Sequence, residues 1–255
     1  SNTTGANNVA MGDASLYANT TGSANTSIGA NALRFNTTAS NNTAVGYQAG
    51  YSNTTGEIQA LGHQALFANT TGTNTAVGSS ALATVTTGTA NTALGYAAAA
   101  ISTGSYNTAL GHQALRFNTT ASYNTAVGYQ AGYSNETGTN LVALGVTAGY
   151  SSTATNNTFL GTAAGFSTTT GGGNTLVGAV AGYALTTGQG NTFIGGAING
   201  VTDASGRYIT TGSTGFPDLV MAHVERGLIF AELKTEKGKA SEAQLQWLRT
   251  LHPHA

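Results

Sequence analysis

The chain has 255 residues and a formal net charge of −1, and only 7% of its residues are charged. So few charges exclude electrostatic capture of nucleic acid or of an anionic membrane by most of the chain. There is no cysteine, which excludes disulfides and thiolate metal sites, and no apolar run is long enough to span a membrane. We therefore expect no membrane insertion.

An aliphatic residue followed by glycine recurs every 16 or 17 residues through the first 200 residues. A fixed period this short is typical of a solenoid, in which each repeat forms one coil and the stacked coils share one core. We therefore predict an all-β fold over residues 1–200, a parallel β-solenoid of about twelve coils that needs no cofactor. The repeated glycines, called the column glycines below, are Gly12, Gly29, Gly46, Gly62, Gly78, Gly95, Gly111, Gly128, Gly145, Gly161, Gly178 and Gly195.

The four residues before each column glycine are predicted to form a strand whose side chains alternate between two faces. One face carries an aliphatic column and a threonine column, and we expect it to point into the coil. The other face is mostly alanine and needs a partner, because a thin coil can bury only one face inside itself. A second alanine column, three residues after the glycine, is predicted to be a returning strand. The aliphatic column includes Val45, Val77, Leu94 and Val127.

Asparagine opens ten of the twelve repeats. Stacked side-chain amides can hydrogen-bond along the solenoid and hold the coils in register, so the column is predicted to be structural. A row of sugar-binding amides is the alternative. Members of this column include Asn42, Asn74, Asn91 and Asn124. Asn-x-Ser/Thr sequons also recur in the turns, as at Asn36 and Asn118, and they imply glycans only in a host that attaches them.

Aromatic residues recur five positions after the column glycine, among them Tyr51, Tyr133, Tyr150 and Tyr183. Rings stacked at a corner of the coil are one interpretation, and a surface on which sugar rings stack is the other. Residues 32–53 also recur as residues 114–135 with one difference, Asn41 against Tyr123. The offset is five repeats, which indicates that a block of five coils was duplicated.

The phrase N-T-A-[VIL]-G-x-x-A, with its N-T-T-G spacers, resembles the head repeats of YadA-like trimeric adhesins and related repeats of tail-fibre proteins. The resemblance implies a left-handed parallel β-roll in which three chains pack side by side, their small alanines allowing close approach. It further implies a homotrimer on an extracellular surface or a virion, with a cell-surface glycan or receptor as partner. Since the chain begins inside a coil, we expect it to be a piece of a longer or processed protein.

After residue 200 the composition changes, and the last 55 residues hold both prolines, all the lysines and the only tryptophan. Residues 201–214 are predicted to be a linker, and residues 215–255 a small α+β segment. Its strands are predicted at residues 216–222 and 228–234. A capping box at Ser241 and Gln244 predicts the start of a helix.

The segment from residue 214 to 251 resembles the VRR-NUC branch of the PD-(D/E)xK nucleases. The resemblance implies that Asp218 and Glu232 bind Mg²⁺, that Lys234 activates the attacking water, and that Gln244 is the helix glutamine. Two carboxylates and a lysine suit metal-assisted phosphodiester hydrolysis. The family's first helix and following strand are missing, so we expect a remnant without activity, and nucleic acid is a partner only if the segment functions.

Ice binding is a third class of function, because regular threonine columns on a flat solenoid face can order water. The sequence disfavours it, since the threonines share a face with the aliphatic column and are expected to lie inside the coil.

Overall fold

The structure is a computed structural model that describes residues 2–195, 218–224 and 227–233. The chain divides into two compact units, Ser1–Gly196 and Ala197–Ala255. Each unit is described by itself.

The first unit is a parallel β-solenoid, as the repeat predicts. Each strand has three or four residues and ends just before a column glycine, and it pairs in parallel with the strand of the next coil. Equivalent repeat positions face each other, as in the pair Ala93 and Ala109. The twelve strands, separated by eleven coils, are β1 Val9–Met11, β2 Thr26–Ile28, β3 Thr43–Val45, β4 Ile58–Leu61, β5 Asn74–Val77, β6 Asn91–Leu94, β7 Thr108–Leu110, β8 Thr125–Val127, β9 Val142–Leu144, β10 Thr158–Leu160, β11 Thr175–Val177 and β12 Thr192–Ile194.

The segment after each column glycine is a chain of turns, and the predicted returning strand is wrong. Its residues two and four positions after the glycine have positive φ, for example 58° at Gln113 and 49° at Leu115. A strand requires extended, negative-φ backbone throughout, so this alternation excludes it. The backbone is still satisfied, because the Gln113 N–H donates to Tyr96 O at 2.8 Å and the Leu115 N–H to Ala131 O at 2.9 Å.

The core of the coil is thin, and the large side chains in it pack against small ones. Alanines two residues before the column glycines are buried, as Ala44 and Ala126 show. Near the C-terminal end Phe159 takes this position, and the turn residues beside it are Gly149 and Gly165. A Cβ on either glycine would lie 2.5 Å from the Phe159 ring. Large and small residues therefore alternate across the interior, as close packing requires.

The column glycines are required by the close stacking of the coils. Their φ angles lie between 122° and 138°, a region that side-chain-bearing residues rarely adopt. A Cβ on Gly95 would also lie 2.5 Å from the carbonyl oxygen of Gly111. Both constraints repeat from Gly12 to Gly178, which explains why the glycine is the most regular residue of the repeat.

The second unit contains an antiparallel hairpin formed by β13 Asp218–Val224 and β14 Gly227–Leu233. The sequence predicts two strands here, but β13 begins and ends two residues later than expected and β14 one residue earlier. The predicted linker, and the helix that begins near Ser241, lie outside the described residues.

Candidate functional site

The aliphatic and threonine columns lie on the outside of the coil, so the expected orientation of the strands is wrong. Leu94 is 50% exposed, whereas its neighbour Ala93 is 1% exposed. The reason is the thinness of the coil. A Cβ placed on Gly50, in the facing turn segment, would lie 3.8 Å from the Ala44 Cβ. In this coil the strand and the facing turn segment are thus one methyl contact apart, so the inward position takes alanine. A larger inward residue needs glycine in the turn segment beside it, as at Phe159.

The outer strand face is defined here as the residues one and three positions before the column glycines. It carries no charged side chain over the twelve strands and extends over eleven coil spacings, roughly 50 Å at about 4.8 Å per strand. Monomeric proteins rarely expose continuous apolar patches beyond a few hundred Å². This face is therefore the main candidate for an interaction surface. Its large exposed members are Val9, Met11, Ile28, Leu61, Leu94, Val127, Leu144 and Ile194.

The repeat-opening asparagines form a buried hydrogen-bonded column. The Asn74 Oδ1 accepts the backbone N–H of Asn91 at 2.9 Å, and the Asn91 Oδ1 accepts that of Asn107 at 2.9 Å. The Asn91 Nδ2 donates to Gly104 O at 2.9 Å. Asn42, at 1% exposure, and Asn124, at 0%, are buried in the same way. Each amide thereby satisfies backbone groups that the turns leave unpaired. Buried amides offer nothing to a sugar outside the coil.

A second buried asparagine column, which was not predicted from the repeat pattern, lies in the turns. The Asn36 Nδ2 donates to Asn19 Oδ1 at 3.0 Å and to Ala39 O at 2.9 Å. Its members are six of the sequon asparagines, and their recurrence at one repeat position was the available signal. They are fully buried in the solenoid, so an oligosaccharide cannot be attached to them in the folded state. The column contains Asn19, Asn36, Asn53, Asn69, Asn118 and Asn135.

The aromatic residues five positions after the column glycine form continuous stacks. Tyr133, Tyr150, Phe166 and Tyr183 follow one another at centroid separations of 4.9, 5.0 and 5.1 Å, with interplanar angles of 5–12°. Tyr51 stacks on Phe67 at 5.0 Å and meets Phe35 edge-on. Stacking at this distance stabilises the corner. It also covers the faces of the inner rings, which are the surfaces on which a sugar would stack.

Two other ring clusters are more exposed. Directly after the column glycines, His112 lies between Tyr96 at 5.1 Å and Tyr129 at 5.3 Å. Five residues before the column glycines, Tyr106 and Tyr123 stack at 5.0 Å with an interplanar angle of 3°. In the sequence, Tyr123 is distinguished only as the single difference between the duplicated blocks, and that difference is the available signal for the second cluster.

Charged groups are scarce on the described part of the solenoid. Arg34 lies 5.7 Å from the Phe35 ring centroid, and Arg116 lies 5.3 Å from that of Phe117. Within residues 2–195 and the two tail strands, no group of three or more His, Asp or Glu residues is placed to hold a metal ion. Among these same residues there is no helix long and apolar enough to cross a membrane.

The hairpin brings together the two segments that carry the proposed nuclease acids. Asp218 pairs with Leu233, and Glu232 pairs with Leu219, so the two acidic positions are one register step apart. Lys234 and Gln244 lie outside the described residues. The structure therefore describes the register of the two strands and not the arrangement of the four proposed nuclease residues.

Comparison with protein-family models, with curated proteins and with solved structures finds no match to this chain. The class of the protein follows from the fold itself. The first unit is a parallel β-solenoid repeat protein whose coils are held by glycine, alanine and asparagine columns.

Proposed function

We propose that the solenoid is a structural and adhesive fibre segment that assembles as a homotrimer through its outer strand face. The observation that carries the proposal is the uncharged outer strand face, which is partly or fully exposed in each of the twelve strands. A fibre needs a stiff and repetitive rod, and a stack of coils in constant register provides one.

The driving force for association through this face is of the same order as the cost of association. Burying one aliphatic side chain contributes about 1.5–3 kcal/mol, so half-exposed residues in twelve strands would together contribute about 10 kcal/mol per chain. That is comparable with the cost of association, about 4–15 kcal/mol. A trimer, rather than a dimer, is proposed from the resemblance of the repeat to YadA-like heads. So are the left-handed coil and the location on a cell surface or virion.

The solution mass of the intact chain tests the trimer. Light scattering should give three times the chain mass of 25.4 kDa. The double variant Leu94→Glu/Leu144→Glu places charges on the outer strand face and should give one chain mass. The double variant Thr87→Glu/Thr170→Glu is the control, because it adds the same charge at exposed turn positions in two coils and should remain trimeric. A monomeric wild type with native circular dichroism would overturn the proposal.

Ice or hydrate binding is a second candidate, because the strands are oriented with their threonines on the outside of the coil. The threonines were expected inside, but Thr43, Thr75 and Thr125 lie on the outer strand face, partly exposed and in register. A flat face with hydroxyls at a constant spacing can order water only if no other chain covers it. A monomeric mass combined with thermal hysteresis, lost in the Leu94→Glu/Leu144→Glu variant, would establish this function in place of the fibre.

A metal-dependent nuclease carried on the rod is a third candidate. It rests on the resemblance of residues 214–251 alone, because Asp218 and Glu232 are not direct partners in the β13–β14 register and positions one step apart alternate between the two faces of a hairpin. If bound by these carboxylates, Mg²⁺ would supply charge stabilisation at the phosphate. Cleavage of DNA that requires Mg²⁺ or Mn²⁺ and is abolished by Glu232→Ala would support this candidate. No cleavage, or cleavage unchanged by that substitution, would remove it.

A further inference from the structure

The stacked pair Tyr106 and Tyr123 is an exposed aromatic surface on the solenoid. The two side chains are 52% and 59% exposed, and their rings are nearly parallel. Aromatic side chains exposed to this degree bury little surface within the chain. Tyrosine in such a setting is characteristic of binding surfaces, where it offers a large and rigid contact area.

Both tyrosines occupy a backbone conformation that disfavours them. Their φ angles are 59° at Tyr106 and 61° at Tyr123, a region that bulky residues seldom adopt and that asparagine tolerates. The duplicated block supplies the comparison, because Asn41 holds the same repeat position with a φ of 63°. Over 22 aligned residues, the only difference is the exchange of a well-suited residue for a strained one. Positive φ recurs at this position in other coils, so the coil imposes it. Tyrosine at an exposed position with a backbone that disfavours it is therefore a candidate for function rather than for stability.

No aromatic residue of the same column covers the outer ring faces of the pair. The next members of this column are Ala90, one coil before Tyr106, and Asn140, one coil after Tyr123. Neither is aromatic, so the stack stops after two rings. This distinguishes the pair from the column through Tyr133 and Tyr150, in which each inner ring is covered on both sides.

The polar groups next to the pair are uncharged. Ser122 precedes Tyr123 in the chain, and its Oγ accepts the backbone N–H of Ser105 at 3.0 Å, which leaves the hydroxyl hydrogen able to donate. The Asn140 Nδ2 donates to Asn156 Oδ1 at 3.0 Å, and both of these side chains are exposed. An uncharged ligand suits aromatic faces that are bordered by hydroxyl and amide groups.

We propose that Tyr106 and Tyr123 form a binding site for a pyranose ring of a neutral surface glycan. The apolar C–H face of the sugar packs on the free face of one tyrosine, and its hydroxyls bond to the neighbouring serine and asparagine groups. A neutral glycan would be the class of receptor for the adhesive role proposed above. The biological use of the site, but not sugar binding itself, rests on that role. Sugar binding does not require the trimer, so the light-scattering result and the binding result can fail separately.

The test is ligand-observed NMR on the intact chain with glucose, galactose, mannose and N-acetylglucosamine, each at millimolar concentration. At least one sugar should show saturation transfer from the protein, with shifts in the Tyr106 and Tyr123 ring signals. Tyr123→Asn restores the residue of the first block, so it should weaken binding at least tenfold while leaving the melting temperature unchanged or higher. The reciprocal Asn41→Tyr is the matched control and should not restore binding to the Tyr123→Asn chain, because its column neighbours Ala24 and Glu57 provide no second ring.

A purely structural role for the pair gives different results. In that case Tyr123→Asn lowers the melting temperature, and sugar binding is absent or unchanged. The double variant Tyr106→Asn/Tyr123→Asn removes both rings and places asparagine, which tolerates this backbone, at φ angles of 59° and 61°. It should abolish sugar binding without unfolding the chain. Binding that survives the loss of both rings would overturn the proposal, as would the absence of transfer from all four sugars to the wild type.

Discussion

The duplicated blocks, residues 32–53 and 114–135, have nearly the same sequence and nearly the same backbone five coils apart. Leu33 and Leu115 have φ angles of 46° and 49°, and Gly50 and Gly132 have 58° and 59°. Where the residues differ, at Asn41 and Tyr123, φ still changes by only two degrees, from 63° to 61°. The position in the coil, and not the residue that occupies it, therefore sets the local backbone. A side chain that the coil disfavours must be retained for another reason.

Alanine at a column glycine should be the most damaging change, and it should be equally damaging in both blocks. A Cβ on Gly46 would lie 2.5 Å from Gly62 O, and one on Gly128 would meet Gly145 O in the same way. Overpacking against backbone and a φ near 135° together predict a loss of more than about 3 kcal/mol in each variant. Urea unfolding followed by circular dichroism measures it. A mild effect in one block alone would contradict the equivalence of the coils.

Truncating the core leucines should cost about 2–5 kcal/mol each. Leu33 and Leu115 are fully buried, and their side chains lie 3.1 and 2.8 Å from where a Cβ on Gly50 or Gly132 would be. The surroundings differ in the residue of the next coil, Ile58 against Leu141, which are of equal size. Leu33→Ala and Leu115→Ala should therefore lower the free energy of unfolding by amounts within about 1 kcal/mol of each other. The same urea titration compares the two variants. Unequal losses would show that the blocks differ in packing despite their common sequence.

Removing a turn asparagine should cost about 1–3 kcal/mol, because buried partners lose their hydrogen bonds. Asn36 donates to Asn19 Oδ1 at 3.0 Å, whereas Asn118 has Ser102 Oγ at 3.5 Å in that place. Ser102→Asn should therefore extend the column in the second block and stabilise the chain, while Asn36→Ala and Asn118→Ala destabilise it. Amide hydrogen exchange in the affected coils reports each change. A destabilising Ser102→Asn would show that the second column has no room for the amide.

Asn41→Tyr should have the smallest effect, a loss of about 1 kcal/mol from the left-handed backbone. The second block carries this cost at Tyr123, where stacking on Tyr106 offsets part of it. The measurement is the difference in unfolding free energy between wild type and variant. A stabilised variant would remove the argument that tyrosine at this position is strained.

Much of the fold could be predicted from the sequence, because the constraint repeats. Each column glycine marks the end of a strand, so the period alone located the strands and indicated the parallel stack. The ten repeat-opening asparagines were likewise visible as a column. The candidate site was less accessible to prediction. A stack of rings identifies aromatic positions, but which ring faces remain open depends on neighbours in other coils.

The sequence by itself determined the class of this protein, because a 16- or 17-residue period permits coils that stack and little else. Only the tertiary structure decided which face of each strand is buried. Alanine on one side and valine or threonine on the other are both compatible with a core, so the pattern of polarity leaves the choice open. The choice follows from how the strand packs against the turn segments of its own and the neighbouring coil. Ala44 faces inward and Val45 outward, and Phe159 faces inward where the turn residues beside it are glycines. These size-matched residues come from different coils, so the pattern within one repeat does not encode the choice.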